Sequence, residues 1–167
     1  MKKYFAYTLP RNALYGGAVA LGILAGFLNI FLAVDFTVRP ALAASLLASI
    51  IIVVSLHEGI HGGVAVLFGH KPLFGLKPPL VYITFTGKIP RNHFILVALA
   101  PLVVLDAFFV VLYVYSPFKL FSDFCLIINT IGALGDVWIV VKLLSVEKGA
   151  MIQDTKTGIE VWVADEP

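Results

Sequence analysis

Residues Ala41 to Phe68 read ALAASLLASIIIVVSLHEGIHGGVAVLF, 28 residues in which the only ionisable side chains are His57, Glu58 and His61. A helix needs about 20 apolar residues to cross a bilayer, so this run is expected to cross one, tilted or projecting beyond it. Ionisable groups within a span are costly and rare, and mark function by default. Here all three fall within five residues.

His57 and His61 are four apart, so on a helix they share one face and can point imidazole nitrogens at one metal ion. Glu58 lies about 100° further round. From there its carboxylate can reach the open side of that metal, take the proton of a water and later pass it to a leaving amine. This is the HExxH arrangement. An accidental match is the alternative, and it would carry weight in a soluble helix rich in His and Glu, but an apolar span offers little to draw it from.

The whole chain has the composition of a membrane protein. Of its 167 residues 60% are hydrophobic and 13% charged, and mean hydropathy is +0.97, against about one quarter charged in soluble domains. The net charge of +2 is small and the twelve Lys and Arg are dispersed between apolar runs, which excludes nucleic acid as a partner. Cys125 is the only cysteine, so it has no disulfide or metal partner of its own kind and reads as inert packing.

Three further runs read as spans: Ala13 to Val34, Phe94 to Tyr115 with Pro101 as a kink, and Asp123 to Leu144. The first is too long for a signal-peptide core of about 7 to 15 residues, and Ala41-Leu42-Ala43 opens the next run instead of closing this one, so insertion without cleavage is expected. Between spans two and three, Val81 to Thr86 (VYITFT) reads as a strand that can pair across Pro78-Pro79. In the tail, Met151-Ile152 and Ile159 to Val163 flank a Gly-containing loop and read as a hairpin.

The expected fold is an all-α membrane protein of about four transmembrane helices, with a short β segment between helices 2 and 3 and a small C-terminal β-hairpin. It divides into a transmembrane part over 1–146 and a cytoplasmic tail over 147–167. Ten of the twelve Lys and Arg then lie on the side of the N-terminus, and Arg39 and Lys119 on the other. Both termini of a multi-pass cell-membrane protein are therefore expected in the cytoplasm.

A catalytic zinc takes three protein ligands, and Asp106 and Asp136 compete for the third place. Gly59, Asp136 and Asp106 lie 9, 8 and 12 residues from the cytoplasmic ends of their spans, or about 13, 12 and 18 Å. Depth favours Asp136. Asn129, Gly132 and Asp136 share a helix face, and Gly59, Gly62 and Gly63 offer a small surface for close packing. Asp106 is left as the lesser candidate for the ligand, as a partner that orients a ligand imidazole, or as a residue held neutral by burial. His70 and His93 read as interfacial polar residues beside Lys71 and Arg91.

With His57-Glu58-x-x-His61 in one span, Gly135-Asp136 in a later one and Asp154-x-x-x-Gly158 in the tail, the sequence resembles a family of small membrane proteins described as zincin peptidases. More distantly it is similar to site-2 proteases, zinc enzymes that cut within the membrane, although those carry their aspartate as Asp-Gly and this chain has Gly-Asp. The resemblance implies one zinc per chain held by His57, His61 and Asp136, with Glu58 as base. It implies a lipid bilayer and a membrane-protein or peptide substrate as partners. Val81 to Thr86 would hold that substrate extended by β-augmentation, and proline at Tyr82 and Thr84 is expected to stop turnover while sparing zinc. Two other readings remain: a protein that binds or moves a divalent metal without proteolysis, and an inactive protease-like scaffold.

Overall fold

A computed structural model describes residues 1–8, 10, 14, 16–18, 21, 22, 25, 26, 39–77, 80–155 and 158–164. The expected first span lies largely outside them, as do Pro78-Pro79; those residues of 14–26 that are described are helical.

Helix α1 is Arg39–Leu67 and carries the motif. Its buried side chains Ser49, Val53, His57, His61 and Ala65 are spaced by four along a single ridge, the row that packs into a neighbouring helix, with Gly62 buried beside it. Leu47, Ile51, Leu56 and Leu67 stand exposed on other faces, as lipid-facing residues do. Helix α2 is Arg91–Tyr115, with Pro101 inside it. Both helices are long and apolar enough to cross a membrane.

The expected fourth span is two helices, α3 (Lys119–Gly132) and α4 (Leu134–Leu144), bent by 41° at Ala133. The described residues thus hold two apolar spans, or three if the bent pair is one. The bend sets the first turn of α4, with Asp136 in it, at the depth of the motif.

Strands β2 (Pro72–Lys77) and β3 (Leu80–Phe85) form the expected hairpin between α1 and α2. Strands β5 (Met151–Thr155) and β6 (Gly158–Val163) form the expected tail hairpin. The tail hairpin does not stand alone. β1 (Lys2–Thr8) pairs with β6 and β4 (Lys88–Pro90) with β5, giving a four-stranded sheet in the order β1-β6-β5-β4. The sequence reading assigned no strand to 2–8 or to 88–90, because neither offers a strand pattern until its partner is known.

One face of the sheet packs Ile152, Ile159 and Val161, all fully buried, against Phe94, Val140 and Leu143. Arg91 is buried at the start of α2 and turns toward the end of α4. Its Nε donates to the Leu143 carbonyl at 2.7 Å and its Nη2 to that of Leu144 at 3.2 Å. These are among the last carbonyls of a helix, which have no donor within it. The sheet, α2 and α4 are thereby fixed together, and β5 is brought to the motif.

Candidate metal centre

His57 and His61 enter the protein from the packed ridge of α1, and their rings meet edge to face with centroids 4.8 Å apart. Each has its Nδ1 fixed by an acceptor. His61 Nδ1 lies 2.8 Å from the carbonyl oxygen of Val97. That carbonyl is free because the residue four on, whose N–H would bond it in a regular helix, is Pro101. A carbonyl only accepts, so Nδ1 of His61 carries the hydrogen and Nε2 the lone pair.

His57 reaches the same state through Asn129, which is fully buried. The Asn129 amide nitrogen donates to Asp106 Oδ1 at 2.8 Å and to the Pro101 carbonyl at 3.2 Å. Two acceptors on that side fix the amide orientation, so Oδ1 faces His57 Nδ1, 2.9 Å away, and must receive a hydrogen from it. Asp106 is held in turn by the Thr130 hydroxyl at 3.1 Å. It acts on the imidazole through Asn129, not directly.

Both Nε2 atoms therefore present lone pairs to one carboxylate oxygen. Asp136 Oδ2 lies 3.2 Å from Nε2 of His57 and 3.5 Å from that of His61. With both rings neutral, three electron-rich atoms converge here, an arrangement that calls for a metal ion or a proton among them. Ligands about 2.0 to 2.2 Å from a tetrahedral zinc would be about 3.3 to 3.6 Å apart. His57, His61 and Asp136 are the group among the described residues whose spacing suits a metal ion, and their donor set fits zinc. Asp106 is not in that group, nor are His70 and His93, whose Nε2 and Nδ1 face each other at 3.1 Å beyond the end of α1.

Glu58 leaves the ridge sideways, and its Oε2 accepts the backbone N–H of Ile83 at 2.9 Å. β3 pairs with β2 on one edge only, and this bond shows that the N–H groups of odd-numbered residues point to the other. The hairpin is seated on α1 at Gly62, where a Cβ would come within 2.9 Å of Ile83 Cδ1 and 3.1 Å of Phe74 Cζ. Glu58, His61 and Asp136 line one cavity of about 140 Å³, closed by Ile83 and Phe85 of the hairpin, by Phe94 and Val97 of α2, and by Asp154 of β5.

The sequence reading missed Asn129 as a fixer of His57, Pro101 as the source of a free carbonyl, and Asp154 as a wall of the site. Asn129 and Asp154 had been noticed, for helix face and tail pattern, but nothing in a linear sequence joins them to the histidines.

Residues 50–151 match the model of a family described as "Putative zincin peptidase". The chain belongs to this family. The match runs from α1 to the first residue of β5 and so contains His57, Glu58, His61 and Asp136. The chain is also 29% identical over 148 residues to a Pyrococcus woesei protein named "Uncharacterized 24.7 kDa protein in gap 5'region", an alignment covering 84% of this chain and 65% of that one. The chain thus spans about two thirds of the length of that relative. No solved structure matches it.

Proposed function

We propose that this chain is a zinc-dependent peptidase working within the membrane, near the cytoplasmic leaflet. The observation that carries the reading is the approach of two Nε2 atoms and one carboxylate oxygen to one another, with a second acid, Glu58, in the same cavity. His57, His61 and Asp136 would hold the metal. When bound, zinc supplies Lewis acidity toward a water and toward the carbonyl to be cut.

Glu58 is the general base. Its carboxylate takes the proton of the attacking water and delivers it to the leaving nitrogen. In the resting arrangement it is held by Ile83 N–H, which a substrate strand would have to share or displace. The open edge of β3 is suited to bind that strand, because a helical peptide offers no free amides until it is unwound. Odd-numbered residues, Ile83 among them, supply that edge. Proline at Tyr82 or Thr84 would instead break the ladder with β2, so the informative substitution is Val81→Pro, with turnover lost and zinc kept.

The apolar faces of α1 and α2 support a multi-pass protein of the cell membrane. The pairing of β1 with β6 puts the two ends of the described chain side by side, which favours their lying on one side of the bilayer, and the positive charge favours the cytoplasm as that side.

The test is metal content by mass spectrometry together with peptide cleavage, on detergent-purified wild type, His57→Ala, Asp136→Asn and Glu58→Gln. Near one zinc per chain, lost with His57→Ala or Asp136→Asn and kept in a Glu58→Gln protein that no longer cleaves, is the expected result. Zinc without cleavage in the wild type would favour a metal-binding or metal-moving protein, and no zinc after reloading would leave a scaffold.

A further inference from the structure

We propose that Asp154 selects substrates carrying a positive charge, a lysine or arginine side chain or a free amino terminus, beside the bond to be cut. The inference rests on the peptidase reading and deepens it, since it concerns an acid in the same cavity for which that reading has no task.

Asp154 lies on β5 two residues from Ile152, so both side chains belong to the sheet face that packs against the helices. Ile152 is fully buried in the core. One step along the strand this face meets the cavity, and an acid stands where an apolar residue would continue the pattern. Thr84 and the Thr155 N–H stand where they favour its charged form.

Charge balance then decides what the cavity favours. Asp154 is not one of the three candidate metal ligands, and no lysine or arginine lines the cavity among the described residues to balance its charge. The rest of the lining, including Ile83, Phe85, Phe94, Val97 and Ile139, is apolar, and a charge facing such walls is poorly screened. A substrate cation is the partner that this site lacks. The volume of about 140 Å³ is below the roughly 300 Å³ or more of a small-molecule pocket, and suits one side chain or chain end.

The experiment uses full-length Glu58→Gln protein, loaded with zinc, and fluorescein-labelled hexapeptides of alanine and leucine. One series carries a single lysine at each position in turn, and its twin carries norleucine, which has no charge. Each is made with a free and with an acetylated amino terminus, so the source of the cation is distinguished. The best cationic peptide should bind about tenfold tighter than its neutral twin at physiological salt. Adding Asp154→Asn should abolish the difference at unchanged zinc content, and Asp154→Glu should restore most of it.

Equal affinity for charged and neutral twins, or no binding of either, overturns the proposal whether or not the wild type cleaves peptides. A charge preference that survives Asp154→Asn overturns it as well. Selective binding that needs Asp154, with no cleavage by the wild type, would sustain the proposal as a statement about binding and sink the peptidase reading instead.

Discussion

His61 donates its Nδ1 hydrogen to the carbonyl of Val97, 2.8 Å away, a carbonyl left without its helical donor because residue 101 is proline. A proline within a span is commonly compensated by a neighbouring group, and here the compensating group is a metal-ligand candidate. The break in one helix thus sets the tautomer of a side chain on another. Pro101→Ala returns an N–H to Val97, which must then serve two donors. Zinc affinity, measured by competition with a chelator, should fall several-fold, with turnover recovered at saturating zinc. Unchanged affinity would mean that the carbonyl accommodates both.

Asn129 performs the same service for His57. Outer partners of this kind are typically worth about 10- to 100-fold in metal affinity. Asn129→Leu removes the acceptor from Nδ1 and strands the Asp106 carboxylate, so a loss in that range is expected in the same competition assay. Asp106→Asn should cost less, since the Pro101 carbonyl still orients the Asn129 amide. If the two variants lost equal affinity, Asp106 would be acting on the site by a route other than Asn129.

The motif, its span and both hairpins were legible because each is written in local signals: i and i+4 spacing, an apolar run, β-branched residues, a glycine turn. The place of Asp136 beside the histidines was legible through depth, which converts position along a helix into an expected height in the bilayer. The strand Lys2–Thr8 was not, since its hydrogen bonds go to Gly158–Val163 at the other end of the chain. The break at Ala133 was not either. Asn129, Gly132 and Asp136 were read as one face of a continuous helix, whereas the chain bends just after Gly132.

Arg91 was counted among the charges that set topology, and the structure gives it a second task. The residue is 8% exposed, and its guanidinium bonds the carbonyls of Leu143 and Leu144. Hydrogen bonds from a charged donor are worth about 1.5 to 3 kcal/mol, so Arg91→Ala should destabilise the protein by about 2 to 3 kcal/mol. Lysine has one nitrogen for two carbonyls and should recover only part of it. Thermal unfolding in detergent measures both, and an alanine variant as stable as wild type would show that water serves those carbonyls equally well.

Burial pushes the Asp154 carboxyl above the ordinary aspartate value of 3.8, against the opposing effect of its bonds from Thr84 and the Thr155 N–H. The folded chain therefore holds this proton more tightly than the unfolded one. Between the two pKa values stability falls as pH rises, and above the folded value the cost of the charge is present in full. Asp154→Asn keeps an oxygen for Thr84 and Thr155 but carries no charge. The variant should melt above wild type at pH 8, with the gap closing as pH is lowered toward 3.8. A melting series across that range decides it: a variant less stable at every pH would mean that the carboxylate's hydrogen bonds outweigh its desolvation. An acid that costs the fold stability is what a group kept for binding a cation predicts, because the missing counter-charge arrives only with the substrate. Adding the best cationic peptide should therefore raise the melting temperature of the Glu58→Gln protein more than that of the Glu58→Gln/Asp154→Asn protein, and equal shifts would separate the stability cost of Asp154 from any role in recognition.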